Sequence, residues 1–176
     1  MIPRIHQTLI LATLLFCLLL GIAGCAATSR TVLDEEVISN PKYMASYKSL
    51  IIRDFELDSG LFTDAAEAAG RSERERRYAG LPALMAENIA RFVASRQTYR
   101  SVSRTGAPTE TTLVLKGRFT RIGRFRISIT GTLHDGGTDQ QVALFRQTLW
   151  DVFDTMEGVN LLSREVADFI DGIQYK

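Results

Sequence analysis

Between Arg124 and Leu133 the chain reads RFRISITGTL, and no other stretch limits the fold as tightly. Phe125, Ile127, Ile129 and Leu133 fall on one side; Arg124, Arg126, Ser128, Thr130 and Thr132 fall on the other. A strand with one buried and one wet face needs this period of two, so the segment demands a sheet covered on one side only. The preceding TTLVLKGRFT alternates in the same way, with Leu113, Leu115, Gly117 and Phe119 against Val114, Lys116, Arg118 and Thr120. Past the turn residues HDGGTD, the stretch QQVALFRQTLWDVFD predicts a further strand carrying a bulge. Ala143, Phe145, Leu149 and Phe153 would face inward, with Gln147 and Asp151 beside them. The same residues also fit a helical period; the adjacent Gly136-Gly137 pair favours the strand. Three strands joined by short turns make an antiparallel meander.

Upstream, LIIRDFEL from Leu50 to Leu57 is rich in Ile and Phe and predicts the first strand. LPALMAENIARFVASRQTY follows as a helix, with Pro82 in the first turn and Leu81, Met85, Ile89, Phe92 and Val93 on one stripe. A second helix is read in GVNLLSREVADFIDGI, where Leu162, Val166, Phe169, Ile170 and Ile173 recur at helical spacing. The run from Arg71 to Arg77 alternates arginine with glutamate and reads as a solvated loop or short helix. The order is therefore β-α-β-β-β-α. A helix between the first two strands implies a parallel pair. The expected fold is an α+β two-layer sandwich, a four-stranded mixed sheet with two helices packed on one face.

The N-terminus is of another kind. MIPRIHQ carries one positive charge, Arg4, and TLILATLLFCLLLGIAG then runs apolar to Gly24. The run ends in Ile22-Ala23-Gly24-Cys25, which resembles the lipobox of bacterial lipoproteins. That resemblance implies cleavage between Gly24 and Cys25, a diacylglycerol on the Cys25 thiol and an N-acyl chain on its amino group. It also implies a periplasm-facing location in the cell envelope; Ala26 and Ala27, with no aspartate after the cysteine, point to the outer membrane. The expected organisation is a signal peptide over 1–24, a lipidated N-terminus and tether over 25–46, and a single domain over 47–176. Val37 would lend the tether a short edge strand. Without the leader the chain holds twenty basic and twenty acidic residues, so no nucleic-acid partner is expected. The two cysteines are Cys17, lost with the leader, and Cys25, so the core must hold without a disulfide.

Signs of catalysis are sparse. His134 is the one histidine past the leader, and one histidine does not build a multi-histidine zinc site. Asp135 and Asp139 flank two glycines, but in a turn pattern rather than a calcium-loop spacing. Ser128 and Ser163 lack the flanking residues of a nucleophile elbow. No catalytic residue, metal or cofactor beyond the lipid is expected.

The stretches YKSLIIRDFEL, LPALMAENIARFV with YRSV, and LVLKGRFTRIGRFR together resemble a group of small bacterial lipoproteins, among them uncharacterised domain-of-unknown-function families. Their fold is related to the periplasmic part of the curli secretion lipoprotein and the N-terminal domain of the Tol translocation protein. The resemblance implies a non-enzymatic accessory or docking domain of the envelope. An alternative is a carrier of lipid or lipopolysaccharide, which needs a hollow lined by Phe92, Phe119 and Phe125. The candidate contact residues are Lys116, Arg118, Arg121, Arg124 and Arg126 on the hairpin. A three-residue loop, Arg121-Ile122-Gly123 with Gly123 left-handed, would pair Phe119 with Phe125 and set Arg118 opposite Arg126. Like charges facing each other are unfavourable. Acids within the chain (Glu56, Asp58, Asp151 or Asp154) or an external partner, an envelope protein or an anionic lipid, would relieve them.

Overall fold

A computed structural model describes residues 31–39, 42–57, 61, 73, 76–123 and 125–175. The leader, Gly24, Cys25, Asp58 and Arg124 lie outside the described residues. The meander forms where the alternation demanded it: β5 (Thr112–Ile122), β6 (Arg126–Asp135) and β7 (Gln141–Trp150) pair antiparallel. The strand β2 (Ser49–Ile52) lies parallel to β5, as the intervening helix requires. The sheet has seven strands rather than the expected four: the expected strand over Leu50–Leu57 is divided in two, the edge strand expected around Val37 runs eight residues, and one short strand is added. β1 (Thr31–Ile38) pairs with β7, β3 (Glu56–Leu57) continues beside β5, and β4 (Ser101–Ser103) adds to β2. The order is β1-β7-β6-β5-β2-β4, a mixed sheet. The sheet thus takes in eight residues of the segment expected as a tether.

Among the described residues two long helices cover it, α1 (Leu81–Arg96) and α2 (Thr155–Ile173). Their apolar stripes enter the same buried cluster as the inward positions of the strands, among them Leu50, Leu115, Ile129 and Phe145. Each such side chain contributes about 1.5–3 kcal/mol by leaving water. The helices run in the same direction. Met85, early in α1, meets Ser163 midway along α2, and further on in both the guanidinium of Arg96 reaches the Asp168 carboxylate at 2.5 Å. Asp154 caps α2 by accepting from the Glu157 amide at 2.9 Å. No helix among the described residues is long and apolar enough to cross a membrane.

Two glycines set the register of the hairpin. Gly117 and Gly131 face each other across β5 and β6. A Cβ on Gly117 would stand 2.3 Å from the Phe55 ring, and one on Gly131 would stand 2.1 Å from the Phe145 ring. Each glycine is a seat for a phenylalanine, and the paired seats lock the two strands. Phe119 consequently meets Ile129, four residues beyond the expected Phe125, and a bulge at Thr120 brings Arg121 opposite Ser128. The shift is even, so every inward residue of β5 and β6 keeps its face. The left-handed Gly123 is also corrected: only Gly106 has that backbone among the described glycines. Phe125 and Phe153, both expected inward, are exposed. Phe125 precedes β6, and Asp151 turns into the left-handed region (φ 58°) just after β7, which resets the phase and buries Val152 instead.

Candidate functional site

The corrected register scatters the basic cluster. Arg118 lies opposite Thr130 on one side and Glu56 on the other, not opposite Arg126. Lys116 donates to Asp139 at 2.8 Å, and this contact holds the Asp139 carboxyl below its ordinary range. Arg126 sits beside Trp150 across the β6–β7 pair, its guanidinium 4.8 Å from the indole centroid. Arg121 is exposed near the hairpin tip. The charges expected to collide are therefore separated, two of them by partners within the chain.

Lys116 and Arg118 line a cleft of about 520 Å³ on the wet face of the sheet, together with Arg53, Asp54, Glu56 and Thr130. Arg104 donates to Asp54 at 2.6 Å, and Arg53 donates to the Gly106 carbonyl at 3.0 Å. Cations, carboxylates and hydroxyls share this floor, which suits a hydrated polar surface. The three phenylalanines expected to line a hollow do not converge. Phe119 is fully buried against the Phe55 ring, at 6.1 Å between centroids, while Phe125 stands out at the hairpin tip. Phe92 lies under the guanidinium groups of Arg91 and Arg164, at 5.2 and 5.4 Å.

The two ends of the sheet differ chemically. At the end formed by the β6–β7 turn, Asp135 is buried and accepts from four donors. Lys42 Nζ and Tyr47 Oη reach one oxygen at 2.6 and 2.9 Å; the amides of Gly137 and Thr138 reach the other at 2.8 and 3.0 Å. The Lys42 ammonium, helped by the Tyr47 hydroxyl and the two amides, holds this carboxyl far below the ordinary range despite its burial. Nearby, the hydroxyl of Thr98 donates to Asp171 and the Gln174 amide donates to the Tyr99 hydroxyl. Burial pushes the Tyr99 phenol well up.

At the opposite end the side chains look outward. Phe125 is 60% exposed, Trp150 42%, Phe153 79% and Met156 55%. They come from the β5–β6 hairpin tip and the β7–α2 junction, which are held together where the Val152 amide donates to the Phe125 carbonyl at 3.4 Å. Sequence reasoning missed this group. The available signal was Asp154-x-x-Glu157, a helix-start pattern that places Phe153 before the helix and outside the strand.

No protein-family model matches the chain, and no curated protein matches it. Solved structures show the fold. A dodecamer of a PelC point variant from Paraburkholderia phytofirmans is similar with a TM-score of 0.51 at 10% identity, covering 85% of this chain and all of that one. A second PelC dodecamer from the same organism gives 0.50 at 10% identity, over 84% and 98%. An uncharacterised protein gives 0.43 at 14%, over 73% and 90%.

Proposed function

We propose that this chain is a lipid-anchored, periplasm-facing lipoprotein of the outer membrane whose domain acts by docking on another envelope component rather than by catalysis. The observation that carries the proposal is the Ile22-Ala23-Gly24-Cys25 motif at the close of a long apolar run, six residues before the first strand begins at Thr31. A globular domain tied this closely to a lipidated cysteine stays at the bilayer surface. Two or three acyl chains on Cys25 suffice for that, since each buried methylene contributes about 0.8 kcal/mol. The domain resembles small envelope lipoproteins in its sequence pattern, and the mixed cleft around Lys116 and Arg118 suits a polar partner. The scattering of Phe92, Phe119 and Phe125 argues against the carrier alternative, because a carrier needs one continuous apolar hollow.

Mass spectrometry of the protein purified from a two-membrane bacterium tests the reading. The expected N-terminal peptide begins at Cys25 and carries a diacylglycerol with an amide-linked acyl chain. A bare thiol, or an intact Gly24–Cys25 bond, overturns it. Crosslinking in intact cells then captures the envelope partner, and Arg118→Glu is expected to reduce its recovery several-fold. Unchanged recovery removes the cleft as the contact surface.

A further inference from the structure

The described chain begins at Thr31, and Thr31 stands opposite Leu149 at the end of β7. The N-terminal segment thus joins the sheet at the end where Phe125, Trp150, Phe153 and Met156 are exposed, and not at the end closed by Asp135. Thr31 is six residues on from Cys25, a reach of about 20 Å at full extension. If Cys25 is anchored in lipid, this end of the sheet is held within about 20 Å of the bilayer surface, near enough to reach it, while the Asp135 end points away.

The chemistry of the exposed end fits such a neighbour. An indole, two phenyl rings and a thioether can enter the boundary between headgroups and acyl chains, where tryptophan is enriched in membrane proteins. Arg126 lies over the Trp150 ring and Arg121 stands on the adjoining strand end; both can lay their stems along apolar surface and turn guanidinium groups to phosphate. Asp151, Asp154 and Glu157 occupy the same rim, and Asp154 is engaged in capping α2. Net charge therefore does not drive the contact. Apolar insertion does, with the two arginines selecting phosphate-bearing headgroups. A cluster of exposed apolar side chains at two linked chain junctions is otherwise a liability for a domain in water.

We infer that this loop end, comprising Phe125, Trp150, Phe153 and Met156 with Arg121 and Arg126, is a second, non-covalent membrane contact that seats the domain on the bilayer with its sheet upright. The inference rests on the lipid-anchor reading above, and its test separates the two. Trp150 is the one tryptophan in the sequence, so its fluorescence reports this surface alone. The full lipoprotein is reconstituted in vesicles of phosphatidylethanolamine and phosphatidylglycerol, with some phosphatidylcholine brominated near the top of one acyl chain.

The expected result is flotation with the vesicles, a blue-shifted Trp150 emission, quenching by the brominated lipid, and several-fold loss of quenching by aqueous iodide. In Phe153→Asp with Met156→Asp the protein is expected to float as before, while the emission shifts back to the red and iodide access returns. Both positions are exposed, so this variant leaves the core untouched. Flotation with Trp150 open to iodide and blind to the brominated lipid overturns the docking and leaves the anchor standing. Protection from iodide without quenching by lipid puts a protein on the patch and also overturns it. Failure to float removes the anchor, and the docking falls with it.

Discussion

The two ends of the sheet solve opposite problems. At the β6–β7 turn, a buried carboxylate gathers an ammonium, a phenol and two backbone amides, and the segment carrying Lys42 and Tyr47 is drawn down over the core. Two tyrosines are exposed on that side, Tyr43 and Tyr175, each with a hydroxyl that suits water. At the hairpin tip and the β7–α2 loop, apolar rings face solvent with no hydroxyl among them. The contrast separates residues that hold the fold from residues held ready for contact. Stability should be sensitive at the first end and indifferent at the second.

The largest effect is expected from Asp135→Ala. It strips the partner from a buried phenol and two turn amides at once, and unpaired buried donors are costly. Urea unfolding at neutral pH should show a loss of about 3 kcal/mol. The pH dependence carries a definite sign. The folded carboxyl titrates below its unfolded value of about 3.9, so its contribution is complete above that pH and drains away as acid protonates it. The gap between wild type and Asp135→Asn should therefore shrink steadily below about pH 4. A gap that stays constant into acid would mean that the Asp135 end is held by packing and not by this carboxylate.

How far the closed, packed region extends is set by the glycine seats midway along the hairpin. Gly131→Ala drives a methyl group into the Phe145 ring, and that ring is already packed, tilted, against Phe169 at 4.6 Å between centroids. With no room to retreat, the cost should be about 2 kcal/mol in the same unfolding measurement. Gly117→Ala meets Phe55, which belongs to the irregular link between β2 and β3 and can give way more easily, so it should cost less. Equal costs at the two sites would show that the link is as rigid as the strands.

These positions also show what can be read without coordinates. The inward faces of β5 and β6 follow from alternation, and they are indifferent to a register shift of four residues because an even slip preserves the face. The register itself is hidden in the sequence. It depends on which phenylalanine seats over which glycine, and Phe55 comes from a distant segment. The strand β1 is foreshadowed only around Val37 and β3 is the far end of the Leu50–Leu57 stretch, while β4 has no pattern of its own strong enough to announce it; each forms because a longer neighbour offers an unpaired edge. Lys116 and Arg118 are legible as wet-face residues, since parity alone decides that. The exposed group at the other end is not, because Asp151 leaves the strand with a positive φ and reverses the face expected of Phe153, and Phe125 falls before β6 rather than within it.

The smallest expected effect is the sharpest test of the contrast. Phe153 is an aromatic residue in a chain whose other phenylalanines include deeply buried ones, and replacing a core phenylalanine costs about 3–5 kcal/mol. At 79% exposure Phe153 makes few contacts to lose, so Phe153→Ser should leave the unfolding free energy within about 0.5 kcal/mol of wild type. Asp154 still caps the helix in this variant and Val152 still fills the core beneath it, so no second loss is hidden in the measurement. A loss above about 1.5 kcal/mol would place the ring inside the packing and erase the distinction between the two ends. Indifference in solution, joined to the fluorescence change at the vesicle surface, would mean that this side chain serves contact and not the fold.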